Sequence, residues 1–298
     1  MTLHDPRALP LAARPSLWRP CRDPARQWLV IEPNRSQSHY WRELWCYREL
    51  FAILAWRDIA VRYKQTCIGV AWALIRPLLT MVVFTVIFGK LAQLPSDGNA
   101  PYAVLVFAGM LPWQFFSTAL SSCAESLIAN SNLLTKIYFP RIIIPAASII
   151  TSAVDFGFSL LILAALMLWY HWWPSWRLLS LPLWIGIAVA ASIGTGLWLA
   201  SLNVQYRDFR YVVPFLLQLG LYVSPVGFSS AIVPTHWQLL FSLNPMVAVI
   251  EGFRWAILGR GAYSTGPGFW LSMLVVGLLL YSGVRRFRRV ELQLADVI

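Results

Sequence analysis

Ile142-Ile-Ile-Pro-Ala-Ala-Ser-Ile-Ile-Thr-Ser-Ala-Val-Asp155-Phe-Gly-Phe-Ser-Leu-Leu-Ile-Leu-Ala-Ala-Leu-Met-Leu-Trp169 carries one ionisable side chain, Asp155, and no basic residue. As a helix it rises about 42 Å, more than a hydrocarbon core of about 30 Å. Five other apolar runs accompany it: Ile68–Phe88, Tyr102–Cys123, Leu179–Leu202, Tyr211–Phe228 and Phe269–Val284. Each approaches or exceeds the ~20 residues a crossing needs. The chain is 58% hydrophobic with a mean hydropathy of +0.60, above the roughly 45–50% apolar content of soluble domains. The fold class is therefore all-α, a polytopic membrane protein with six transmembrane helices.

Charge gives the sidedness. Only Lys90, Arg177, Arg254 and Arg260 follow the first, third and fifth runs; the other 20 of the 24 Lys and Arg lie on the opposite side or early in the first run. Basic residues near span ends mark the cytoplasmic face. Discounting the first forty residues, that face still holds Arg42, Arg48, Arg57, Arg62, Lys64, Arg76, Lys136, Arg141, Arg207, Arg210, Arg285, Arg286, Arg288 and Arg289. Both termini are then cytoplasmic. The net charge of +11 reads as topology and lipid contact; nucleic-acid binding would need a basic patch on a soluble domain. Cys21, Cys46, Cys67 and Cys123 fit no zinc or redox spacing, and a reducing cytosol keeps them as thiols.

Residues 1–40 hold six prolines among scattered arginines and read as an extended cytoplasmic tail, with no signal peptide. From Trp41, Leu44, Tyr47, Leu50, Phe51 and Leu54 gather on one helical face, and Trp41, Trp45 and Trp56 flank it. This segment, 41–65, is expected to lie in the membrane surface, with a break near Asp58; packing on other protein is the alternative. Trp169, Tyr170, Trp172, Trp173 and Trp176 form an aromatic belt on the outer side. Between the last two runs, Ala231–Leu258 is apolar but interrupted at Asn244-Pro245. The residue before proline disfavours helix, so two short helices meeting at a hinge, a re-entrant outer hairpin, are expected. Glu251 and Arg254 would pair across one turn.

Asp155 is an intramembrane carboxylate and so a functional candidate. Its alternative is satisfaction within the bundle by Ser148, Thr151, Ser152 or Ser159. No paired carboxylates, metal-ligand cluster or nucleophile elbow appears, which argues against an enzyme of metal-assisted transfer. There is no G-x-x-x-x-G-K-[ST] either, so an ATP-driven function would place the nucleotide on another chain. Glu125–Lys136 offers a short amphipathic helix with Asn130, Ser131, Asn132 and Lys136 exposed, suited to docking a soluble partner or simply a polar loop.

Several stretches together resemble the membrane subunit of type-2 ABC exporters of the O-antigen, capsule and teichoic-acid polysaccharide class. They are Arg57-Asp-Ile-Ala-Val-Arg-Tyr-Lys-Gln-Thr-Cys-Ile-Gly-Val-Ala-Trp-Ala-Leu-Ile-Arg-Pro77, Tyr138-Phe-Pro-Arg141, Arg207-Asp-Phe-Arg-Tyr211, Ser224-Pro-Val226, Leu243-Asn-Pro-Met246 and Glu251-Gly-Phe-Arg-Trp255. The resemblance runs from about Leu44 to Arg289. It implies a transport subunit and not an enzyme, with no cofactor bound by this chain and ATP and magnesium on the partner. Two copies would pair with two ATP-binding subunits and move a polyprenyl-diphosphate-linked polysaccharide out through the inner membrane. By the same likeness, 41–65 is the gate helix, Asn130–Lys136 couples to the ATPase, residues 66–289 form the transmembrane domain and 290–298 a cytoplasmic end. Asn244, Pro245, Glu251 and Arg254 belong to the outer gate.

Sugars have apolar faces and polar rims, so a pore should hold them weakly with aromatics. Trp113, Phe115, Phe116 and Tyr222 are the lining candidates, against packing or lipid-facing roles. Arg62, Lys64 and Arg76 are candidates for the carrier diphosphate, against plain anchoring at the inner surface. A type-2 exporter subunit for a smaller lipid or drug, and an ion-coupled carrier using Asp155, are the competing functions.

Overall fold

The structure is a computed structural model that describes residues 44–64, 69–93, 100–136, 139–173, 175–206, 208–259 and 266–297. The tail 1–40, Trp41, Arg42, Tyr138, Arg207, Arg260, Cys21 and Cys67 lie outside the described residues. The helices are α1 (Arg48–Lys64), α2 (Gly69–Phe84), α3 (Tyr102–Ala129), α4 (Ser131–Lys136), α5 (Ile143–Trp169), α6 (Leu181–Gln205), α7 (Phe209–Val223), α8 (Thr235–Phe241), α9 (Pro245–Leu258) and α10 (Pro267–Val297). No strand occurs among the described residues. Five helical stretches are long and apolar enough to cross a membrane: Leu74–Leu91, Tyr102–Ala129, Ile143–Trp169, Trp176–Gln205 and Pro267–Glu291.

The α2 crossing continues as a π-helix over Thr85–Leu91. The apolar run at 211–228 forms only the 15-residue α7, about 22 Å long, before the chain turns at Ser224. Hydropathy alone does not separate a helix from an apolar turn. Here the turn is held by distant side chains, described below.

α3 is apolar on every face and is the most buried of the long helices, as expected of a helix surrounded by others. It packs against α5, α6, α7 and α9. Hydroxyls inside these helices satisfy themselves on the preceding turn: Ser192, Thr195 and Ser201 donate to the carbonyls of Ala188, Ala191 and Leu197. This disposes of polar groups where water is absent. The α6–α10 contact is closer still, because Gly194 and Gly283 face each other. A Cβ on Gly283 would lie 2.1 Å from the Gly194 carbonyl oxygen. Small residues at such crossings let helix backbones touch.

A second apolar cluster gathers at the Arg-rich end. Leu54 and Ala55 of α1 join Leu127, Leu134, Phe139, Ile143, Ile144, Ala147, Leu197, Ala200, Phe287 and Val290, with Leu44, Tyr47, Leu50 and Phe51 against it. The expected apolar face of α1 is thus its packed face. The expected break at Asp58 is absent: α1 is continuous to Lys64, with Asp58 held by Arg57 at 2.7 Å. α1 also leans along α5. Its last turn reaches Asp155, twelve residues beyond Ile143 and about 18 Å along that helix. Its other face stays apolar and open, with Ile53, Trp56 and Val61 exposed. Cys46, expected as a thiol, is disulfide-bonded, while Cys123 is free and buried.

α4 has the predicted amphipathic form, with Leu134 buried and Asn132 and Lys136 exposed. The turn into α5 is tied to α10: the Arg141 amide donates to Glu291 Oε1 at 2.7 Å, and the Arg141 guanidinium reaches the Glu291 carbonyl at 3.5 Å.

Candidate functional site

Asp155 meets the last turn of α1, and among the described residues no serine of its own helix bonds its carboxylate. Arg62 Nη2 lies 2.7 Å from Asp155 Oδ2, and the Tyr63 hydroxyl donates to Oδ1. Ser159 donates only to the Asp155 backbone carbonyl. Burial, then the hydrogen bond to Asp155, push the Tyr63 phenol above its ordinary range, so it remains a neutral donor. Any stability this shift contributes is fully present below pH 10.0, the ordinary phenol value, and is lost only as the pH climbs through the raised value. Phe158 packs edge-on against the Tyr63 ring at 6.1 Å.

These groups line a cavity of about 440 Å³ between α1, α2, α3 and α5. Its wall includes Trp72, Arg76, Pro77, Gln114, Phe115, Ser152 and Phe156. The Arg62–Asp155 pair is neutral as a unit, whereas the Arg76 side chain has no acidic partner among the described residues. Ser152 is fully buried, and its Oγ has no hydrogen-bond partner among the described residues. The cavity therefore combines an apolar wall, one unbalanced positive charge and an unused hydroxyl. That suits an amphiphile with an anionic head.

The structure brings Arg62, Arg76, Phe115 and Asp155 together here. Lys64 is exposed outside this wall. Trp113 and Phe116 line a different space, an almost wholly apolar fissure of about 350 Å³ that also touches Leu216, Leu219, Asn244 and Pro245. Tyr222 is 65% exposed on α7 and lines neither. Sequence reasoning missed Tyr63 and Gln114, and named Ser152 only as a partner for Asp155, a bond its Oγ does not make. Tyr63 stands between two residues chosen for their charge, a signal that was available.

Beside the apolar fissure, Asn244 is the hinge the sequence predicted. Its side chain accepts from the Met246 amide at 3.0 Å as the N-cap of α9, with Pro245 in the first turn. It also donates to Ser224 Oγ at 2.8 Å. Glu251 and Arg254 pair at 3.5 Å, both buried. The Arg254 guanidinium further donates to the carbonyls of Phe228 and Val226 at 2.7 and 2.9 Å, and the Tyr102 hydroxyl to that of Gly227 at 2.7 Å. Three consecutive carbonyls after α7 are thereby capped. The far end of α9 is capped as well. Gly259 adopts φ 68° there, where a left-handed residue commonly ends a helix. Arg177 donates to its carbonyl and stacks on Trp255 at 5.2 Å.

At the α3–α4 junction, Asn130 Oδ1 accepts from Arg57 at 2.7 Å. Ser131 is partly exposed, and Asn132 and Lys136 are open. Arg57 and Arg62 thus link α1 to the docking candidate and to the cavity from points five residues apart. Among the described residues no cluster of metal-ligating side chains occurs.

Residues 49–258 match the protein family described as ABC-2 type transporter. The chain is 30% identical over 215 residues to an O-antigen export system permease protein, RfbA, of Myxococcus xanthus, covering 72% of this chain and 82% of the relative. It is 25% identical over 236 residues to the polysialic acid transport protein KpsM of Escherichia coli, covering 76% and 89%. The inner membrane transport permease YadH of Escherichia coli K12 is 27% identical over 198 residues, covering 62% and 75%.

Proposed function

The chain belongs to the ABC-2 type transporter family, and from that membership we propose that it is the membrane permease of an ATP-driven polysaccharide exporter. Two copies pair, dock two ATP-binding subunits and pass a polyprenyl-diphosphate-linked glycan outward across the inner membrane. ATP is hydrolysed on the separate subunits. The observation that carries this reading is the likeness over most of the chain to RfbA, with KpsM beside it.

Six crossings are favoured by contacts at both ends of α7. Asn203, just before α7, donates to the Ala124 carbonyl near the end of α3, whereas Gly227, just after it, accepts from Tyr102 at the start of α3. The chain between them therefore traverses most of α3. With six crossings both termini are cytoplasmic. α1, within 41–65, is the gate helix of the 66–289 transmembrane domain, and α4 with Asn130, Ser131, Asn132 and Lys136 meets the ATPase. α8 and α9, hinged at Asn244-Pro245 and braced by Glu251 and Arg254, form the re-entrant outer gate. Trp113, Phe115, Phe116 and Tyr222 serve the glycan path, Tyr222 from an exposed face that a second copy would cover. Arg62 and Arg76, with Lys64 nearby, receive the carrier diphosphate.

Beside the likeness to YadH, named only as an inner membrane transport permease, stands the second reading, a permease for a smaller lipid or drug. The ion-coupled alternative loses ground because Asp155 is already ion-paired with Arg62. Deleting the gene in a glycan-producing host decides between them. Lipid-linked glycan should accumulate inside while surface glycan disappears; normal surface glycan removes the polysaccharide reading.

A further inference from the structure

We propose that Asp155 is an internal stand-in for the substrate's anionic head: it holds the Arg62 guanidinium at the cavity when empty and yields it to a phosphate group when a lipid-linked diphosphate enters. This rests on the exporter reading and adds to it an exchange step at one named ion pair.

Four observations carry the exchange. The Arg62–Asp155 contact is a direct one at 2.7 Å, yet its side chains are 42% and 20% exposed. Ion pairs so open to their surroundings are weak and can be competed away. When Arg62 leaves, Asp155 keeps the Tyr63 hydroxyl, so the carboxylate is not stranded without a donor. Arg76, on the same wall, has no acidic partner among the described residues and can meet a second phosphate oxygen. The Ser152 hydroxyl, fully buried at the cavity and without a partner among the described residues, is a further donor.

Guanidinium groups favour phosphate because their forked donors match two oxygens at once. Beside these donors, Trp72, Pro77, Phe115 and Phe156 give apolar wall for the first carbons of an isoprenoid. The volume of about 440 Å³ takes a head and a short length of chain. The remainder would leave over the exposed side of α2, where Trp72, Ile75 and Leu79 are open. An anionic phospholipid offers the same phosphate chemistry with one phosphate in place of two; the two-arginine wall favours the diphosphate.

The test uses the purified full chain in phosphatidylcholine nanodiscs, titrated with farnesyl diphosphate, with phosphatidylglycerol and with inorganic pyrophosphate, binding being read by native mass spectrometry. Farnesyl diphosphate should bind most tightly, and R62Q and R76Q should each weaken it about tenfold, the equivalent of about 1.4 kcal/mol. D155N, which removes the competitor, should tighten binding roughly two- to fivefold, the value of one partly exposed ion pair. Y63F, which leaves Asp155 more dependent on Arg62, should weaken it. The opposite signs keep the idea testable even where one variant folds poorly in a melting control.

Unchanged or weaker binding by D155N at a wild-type melting temperature overturns the exchange, as does Y63F behaving like wild type. Equal binding of phosphatidylglycerol overturns the diphosphate assignment. If the gene deletion abolishes surface glycan while D155N binds as wild type does, the exporter reading stands and only the exchange falls.

Discussion

Arg254 is a full positive charge with no exposed side-chain surface, at a depth where water offers no help. It is stable there because one planar fork serves the Val226 carbonyl, the Phe228 carbonyl and the Glu251 carboxylate. Removing one partner of such a buried pair costs about 3–5 kcal/mol. R254Q should therefore lower the melting temperature in detergent sharply, and R254K by a smaller amount, since an ammonium keeps the charge and loses the fork. Equal melting of the two variants would show that the geometry of the fork is irrelevant. The pairing with Glu251 was legible, because i,i+3 spacing on a helix is local chemistry. The carbonyl partners were not: they lie 26 and 28 residues away, in a stretch whose apolar composition reads as more span. Asp155 repeats this lesson, since its partners stand on α1, 92 residues off in the case of Tyr63.

Among the elements, the α6–α10 crossing is the least forgiving. A Cβ on Gly194 would meet the α10 backbone at Leu280 at 2.6 Å, and one on Gly283 the Gly194 carbonyl. Backbone cannot rotate aside as a side chain can. G283A should destabilise the protein by about 1–3 kcal/mol, the usual cost of overpacking. G277A, on the same helix with nothing within 4 Å, should melt as wild type does. Matching losses in both would mean that the crossing does not set the result, since alanine by itself favours a helix over glycine. Helix existence was readable from apolar runs for the five long crossings, and the α8–α9 hinge from Asn244-Pro245, because proline and an N-cap act locally. The short α7 and the unbroken α1 were not. In α1 the polar Asp58 suggested an interruption, yet its neighbour Arg57 satisfies it.

For the molecule as a whole, the sidedness carries the greatest consequence. Single cysteines placed in an otherwise cysteine-free chain by N130C and R288C should resist an impermeant maleimide added to intact cells, while W173C should react. Asn130 and Arg288 appearing on opposite faces would mean that α7 fails to cross and that the crossing number is odd. Among the described residues, one copy holds spaces of about 440 and 350 Å³ with different linings, each too small for a long glycan. A long glycan therefore calls for a path shared between copies. The sidedness rests on charge asymmetry, a sum over the chain that the labelling tests; the cavity, built from four helices, leaves no local trace.

The Arg141 amide binds a carboxylate 150 residues further along the chain. During synthesis α5 leaves the ribosome long before Glu291 exists, so the threshold of that helix must wait, loosely seated, until the final crossing has been threaded. Completion of the polypeptide thus becomes the event that fixes the face beside α4, the surface proposed above for the ATP-binding partner.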